Sequence, residues 1–193
     1  MFHLKEYAEQ PNKFAHRLPW ALIPAPGVIL NKMGSFQSTI RFNGPDLFSS
    51  TEEELDATAA QVNNALMRLG RNWAYFFEVQ RRKYQHYPVS EFPNVAGKMI
   101  DDERRRIFLD DGNQYISSYY MTFTFMPPSE NTQKLASKFL DQQKIDYHKH
   151  LATFQDEMGK IVDILKSIFP TAEHLDDDQT LTYLHSCIST KNH

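Results

Sequence analysis

The sequence predicts an α+β domain, and three observations carry that expectation. Apolar and polar side chains alternate with a period of two in several stretches of the first two thirds of the chain. Helical stripes with their own start and stop signals interrupt those stretches. After about Asn131 the alternation disappears and a long helical seam replaces it. The expected sheet is mixed or antiparallel, an N-terminal hairpin plus two longer strands, with helices packed on one face and a helical C-terminal part. The expected divisions within a single domain spanning 1–193 are an N-terminal arm (1–18), an α+β core (19–128) and a helical part (131–190).

Up to about Pro19 the chain reads as a polar arm with one short helical stretch. Trp20-Ala21-Leu22-Ile23 and Val28-Ile29-Leu30 are short apolar runs punctuated by Pro24 and Pro26. Asn31 to Ser35 supply the Asn and Gly that a tight hairpin turn needs. Phe36, Ser38, Ile40 and Phe42 alternate with Gln37, Thr39 and Arg41, so Val28–Lys32 and Ser35–Phe42 are read as a β-hairpin. Gly44-Pro45-Asp46 turns the chain toward a helix that starts near Ser50. Ser50 with Glu53 and Thr51 with Glu54 both have capping-box spacing, and the acids of that first turn suit the positive end of the helix dipole. Leu55, Ala59, Val62, Leu66 and Leu69 form its apolar stripe, and Gly70 is read as its stop.

Trp73 to Gln80 is a dense β-forming run ending in Arg81-Arg82-Lys83. A loop with Pro88 and Pro93 leads to a helix over roughly Val95 to Leu109, closed by Gly112. Tyr115 to Met126 is the longest strand signal, with Tyr119, Met121, Phe123 and Phe125 on one face and Tyr120, Thr122 and Thr124 on the other. Pro127-Pro128 ends it. Further on, Tyr147, Leu151, Phe154, Met158, Ile161, Leu165 and Ile168 are spaced alternately by four and three residues, a heptad seam. A seam this short needs cover. The cover is either a helical segment over Thr132–Gln143 or another chain, which makes Leu151, Phe154, Met158, Ile161, Leu165 and Ile168 candidate partner or oligomer contacts. Pro170 ends the seam, and a last helix is expected around Asp178 to Ser189.

The net charge of -3 excludes a generally basic nucleic-acid binder, leaving Arg81, Arg82 and Lys83 as a candidate basic patch. Asp101 to Arg106 reads as a solvated face of mutually screening charges. Cys187 is the only cysteine, so no internal disulfide forms, and it is expected as a small buried residue. The first residues lack the basic region and apolar run of a secretory signal, and the longest apolar tract, Trp20 to Leu30, is broken by prolines; a cytoplasmic, soluble chain is the expectation. No Gly-x-x-x-x-Gly-Lys-Ser/Thr loop, nucleophile elbow or His-Glu-x-x-His helix occurs. On a helix His148 and His150 lie about 200° apart, too far round to grip one ion. No catalytic, cofactor-binding or metal-binding residue is therefore assigned.

Several blocks, in order, carry a family resemblance. They begin with Leu18-Pro19-Trp20-Ala21, Ala25-Pro26-Gly27-Val28, Asn31-Lys32 and Gly34-Ser35-Phe36-Gln37. Gly44-Pro45-Asp46-Leu47, Asn63-Asn64-Ala65-Leu66, Arg68-Leu69-Gly70 and Trp73-Ala74 follow. Gln80-Arg81-Arg82, Tyr87-Pro88, Phe92-Pro93, Asp102-Glu103-Arg104-Arg105, Tyr119-Tyr120 and Pro127-Pro128 come next, and Leu181 to Ser189 closes the series. Together they resemble the N-terminal domain of the TrbE/CagE-type conjugal-transfer ATPases, the motor subunits of type IV secretion systems. The resemblance implies a longer parent whose ATP and magnesium sites lie in a later domain, so this segment is not itself expected to be an enzyme. It implies a docking role at the cytoplasmic face of the bacterial inner membrane. The partners implied are small inner-membrane subunits and neighbouring motor subunits, with self-association and only peripheral membrane contact. The competing readings are a nucleic-acid-contacting module of the conjugation motor, using Arg81, Arg82, Lys83 and Arg104 to Arg106, and a small-molecule enzyme with a dispersed site.

Overall fold

The computed structural model describes residues 14–84, 86–128 and 144–189. After a single helical turn, α1 (Phe14–Arg17), come the strands β1 (Trp20–Ala25), β2 (Val28–Asn31) and β3 (Phe36–Asn43). They are followed by α2 (Glu52–Met67), β4 (Trp73–Lys83), α3 (Val95–Asp111) and β5 (Tyr115–Phe125). The last elements are α4 (Lys144–Ile168), β6 (Thr171–His174) and α5 (Asp177–Ser186). The strands form one antiparallel six-stranded sheet in the order β1-β2-β3-β5-β4, with β6 pairing β3. The α+β class is as the sequence predicts.

The hairpin forms where the turn chemistry puts it. Val28 pairs with Ser38 and Leu30 with Phe36, and Gly34 at the turn has φ 88°, a left-handed value that glycine adopts without a Cβ clash. β3 then continues past the end of β2 and pairs antiparallel with β6, Ile40 opposite His174 and Phe42 opposite Ala172. β2 and β6 thus lie end to end along one side of β3. Two strands lie beyond the expected hairpin and pair of long strands. β1 is the apolar run Trp20–Ala25, whose pairing with β2 is irregular between Leu22 and Ala25, the stretch holding Pro24. A proline cannot donate to a ladder and is tolerated on such an edge.

The caps select between readings the sequence leaves open. Thr51, not Ser50, caps α2: its hydroxyl accepts from the Glu54 N–H while Glu54 accepts from the Thr51 N–H. α2 ends at Met67 with Arg68 right-handed, so Gly70 lies beyond the stop rather than forming it. α3 does end on glycine, Gly112 at φ 56°. α5 opens with a second capping box, Asp176 with Gln179.

Packing corrects one expectation. Helices cover both faces of the sheet, not one. Val28, Leu30, Phe36, Ile40, Met121 and Phe123 meet Leu66 of α2 and the inward residues of α4 in the main core. On the opposite face Ile29 joins Leu175, Tyr183 and Leu184, with Tyr120 against them. Single-residue alternation explains both clusters, because neighbours in a strand point to opposite faces. Thr122 is buried on that second face, where it exchanges hydrogen bonds of 3.0 Å with Thr39 and with the Tyr183 hydroxyl.

The chain divides into two compact units, one made of the described residues up to Phe77 and from Tyr120 onward, the other of Glu78–Tyr119. The first therefore joins the expected core to most of the expected helical part. The Thr132–Gln143 helix and most of the N-terminal arm lie outside the described residues.

Candidate functional site

The seam proposed as a partner contact is turned inward. Leu151, Phe154, Met158, Ile161 and Leu165 are buried, and Ile168 packs against the same core half-buried. Phe154 stacks on Trp73 at 5.4 Å and on Phe36 at 5.7 Å between ring centroids. The cover the seam requires is the chain's own sheet. Each such aliphatic or aromatic side chain contributes about 1.5–3 kcal/mol by leaving water, so these residues hold the fold rather than offer a surface.

The candidate basic patch is divided by strand alternation. Arg81 and Lys83 are exposed on one face of β4, whereas Arg82 is half-buried on the other and donates to Gln80 Oε1 at 2.6 Å. The Arg81 guanidinium lies 4.6 Å from the Tyr115 ring centroid, a cation–π contact. Cys187 is exposed, against the expectation of burial: it is the C-cap residue that ends α5, one turn beyond the buried Tyr183 and Leu184.

A groove of about 300 Å³ in the first unit is lined by Pro26, Val28, Met158, Val162, Asp163 and His174 among others. The Ser38 hydroxyl bonds both His174 Nε2 and the Gly27 carbonyl. Asp177 Oδ1 accepts from the Gly27 N–H at 2.7 Å. Burial of the His174 imidazole lowers its pKa from the ordinary value. Ser38 is buried and committed to Gly27, and the Asp177 carboxylate holds backbone rather than imidazole. The cluster is a polar lock that ties the β1–β2 turn to β6 and the start of α5. Gly27 is required there: its φ is 65°, and a Cβ would collide with the Leu175 carbonyl and the His174 ring.

The second unit contrasts with the first. None of its described residues is buried. What fixes α3 within it is largely polar. Tyr87 donates to Asp101 at 2.8 Å, and that bond to the carboxylate raises the phenol's pKa. Arg105 lies over the Tyr87 ring at 5.4 Å, and Phe108 meets the rings of Tyr84 and Tyr87 edge-on. Asp101, Arg105 and Phe108 recur at four- and three-residue steps, so they share one face of the helix. The opposite face presents Val95, Met99, Ile100 and Ile107, which are 77%, 67%, 58% and 58% exposed. Among them Arg106 makes a two-pronged ion pair with Glu103, at 3.1 and 2.6 Å. Reading the sequence finds the screened charges of this face but misses the apolar residues displayed around them. Their signal is an amphipathic helix in which Val95 and Met99 are four residues apart and Ile100 and Ile107 seven, on either side of the charges. This is the candidate functional surface.

The described residues form an α+β sheet domain, and its helix α3 displays an apolar face. Residues 27–133, more than half of the chain, match the family described as "Type IV secretion system ATPase VirB4/TrbE, N-terminal domain", and the chain belongs to that family. It is 26% identical over 216 residues to the "Conjugal transfer protein TrbE" of Rhizobium radiobacter, an alignment that takes in 100% of this chain and 26% of that relative. A second relative, from Sinorhizobium fredii (strain NBRC 101917 / NGR234), is named as the first part of a probable conjugal transfer protein TrbE. The two are 32% identical over 130 residues, covering 66% of this chain and 87% of the relative. The chain spans about a quarter of the length of the Rhizobium radiobacter protein.

Neither Gly-Lys step of the described residues has the form of a triphosphate cradle. A triphosphate cradle needs a glycine-rich loop whose free N–H groups lead into a helix, followed by a lysine. Both Gly-Lys steps of the chain are committed otherwise. The Gly97 N–H is capped by Asn94, and Gly159-Lys160 lies inside α4 with Lys160 paired to Asp156 and Glu157. Among the described residues, no helix is long and apolar enough to cross a membrane.

Proposed function

We propose that this chain is the docking and scaffolding part of a conjugal-transfer ATPase. It holds the motor against small inner-membrane subunits at the cytoplasmic face and against neighbouring motor subunits, and leaves nucleotide hydrolysis to a domain beyond this segment. The observation that carries the reading is the family match across residues 27–133. The apolar core on both sides of the sheet supports it, because a rigid platform presents the same surface to a partner at every encounter. Co-purification of the chain with the system's small inner-membrane subunits is the test. A stable complex without ATP turnover is the expected result. Hydrolysis by the purified chain that survives removal of contaminants overturns the non-catalytic reading, and failure to retain any membrane subunit overturns docking.

The nucleic-acid alternative has less support. Arg81 and Lys83 face away from Arg82, and Arg81 is engaged with Tyr115. It expects DNA binding that weakens steeply with salt; no binding at low ionic strength removes it.

A further inference from the structure

The outward face of α3 combines features that a free surface rarely keeps. Four large apolar side chains are more than half exposed, on a helix with no buried residue of its own. A unit of this size with no buried residue gains little from burial. A partner surface that covers the face removes that apolar area from water.

The charges on the face decide among occupants. Glu103 and Arg106 lie in the middle of the apolar stripe, with Val95, Met99 and Ile100 toward the N-terminus and Ile107 beyond. A purely apolar partner would take this ion pair out of water without new hydrogen bonds, which is unfavourable. A parallel copy of α3 would set Glu103 beside Glu103 and Arg106 beside Arg106. An antiparallel copy, related by a two-fold axis passing midway between Glu103 and Arg106, does neither. It sets Ile100 of one copy beside Ile107 of the other on both sides of the axis. It also brings each Glu103 within reach of the other copy's Arg106, so two ion pairs become a ring of four charges. Such a self-complementary patch is what a two-fold interface requires. Long-range repulsion does not oppose it, because residues 78–119 carry seven Lys or Arg against seven Asp or Glu.

We infer that the Val95–Ile107 face of α3 is a self-association surface that pairs antiparallel with the same helix of a second copy of this chain, matched by reciprocal Glu103–Arg106 contacts. The inference rests on the proposed role beside neighbouring motor subunits and names the surface for it.

Sedimentation equilibrium on the 193-residue chain tests this with four proteins: wild type, Glu103→Arg, Arg106→Glu and the double reversal. Wild type should show a concentration-dependent dimer. Each single reversal should weaken it by roughly tenfold or more, and the double reversal should restore it. Ile107→Asp should abolish the dimer with an unchanged far-ultraviolet circular dichroism spectrum, since the residue is exposed. A wild type that stays monomeric at every concentration overturns the inference, as does a dimer indifferent to Ile107→Asp and to both single reversals. A monomer that instead sediments with anionic phospholipid vesicles, losing this on Ile107→Asp, assigns the face to a membrane and also overturns it. Retention of the inner-membrane subunits by the Ile107→Asp protein is scored separately. If the chain never dimerises yet retains them, the self-association surface fails and the docking role stands.

Discussion

Phe123 and His174 show how single positions respond to their surroundings. Phe123 has no exposed surface and points into the main core, as strand alternation predicts. Phe123→Asp should leave the chain unfolded, because a carboxylate there has neither water nor a partner. Phe123→Ala should fold but lose about 3–5 kcal/mol in urea titration. A folded Phe123→Asp protein would show that the strand faces the other way. His174 behaves differently. Its pKa lies below the ordinary value because burial disfavours the imidazolium. The unfolded chain therefore takes up a proton at higher pH than the folded one. Stability should be unaffected above the ordinary imidazole pKa and should fall as pH drops through that value toward the lower folded one. Comparing urea midpoints at about pH 7.5 and about pH 5.5, wild type should lose more than His174→Gln. An equal loss in both would remove His174 as the source. Legibility at this scale follows periodicity: Phe123 could be read from spacing, but the Ser38–His174 contact joins positions far apart in the chain and leaves no local trace.

For whole elements, capping and periodicity were informative and covering surfaces were not. The sequence offered Ser50 and Thr51 equally as the cap of α2, and the structure uses Thr51. Thr51→Ala should therefore lower stability by about 1 kcal/mol, while Ser50→Ala should be close to neutral; chemical denaturation of both variants checks the pair. The α4 seam was visible as a heptad pattern, yet heptads say only that a helix needs cover. Since the sheet supplies it, Leu165→Glu should unfold the domain rather than change its oligomeric state. A folded Leu165→Glu variant with altered mass by light scattering would contradict this. β1 and β6 escaped recognition for separate physical reasons. β1 carries a proline in an irregular edge ladder. β6 has four residues with one buried, too few to display a period.

Across the whole molecule, burial is unevenly shared. The described residues of 78–119 include none that is buried, whereas the other unit holds the entire apolar core. Amides of Glu78–Lys83 and of α3 should therefore exchange with solvent well before those of β2, β3 and β5 beyond Tyr120, because local opening there uncovers little apolar surface. Hydrogen exchange read by mass spectrometry can verify this, and uniform protection across both units would refute it. The α+β class was legible because runs of period two and period 3.6 are long in this chain. The division into units was not, because it depends on which side chains find cover, a property of the assembled sheet.

The placement of α4, β6 and α5 has a practical corollary for anyone defining this domain by its homology. Of the twenty apolar residues buried among the described positions, eleven follow residue 133, where the family match stops. A fragment trimmed to that match would bring its strands but leave behind the helices that roof both sides of them. Expressed alone, it should be recovered as aggregate.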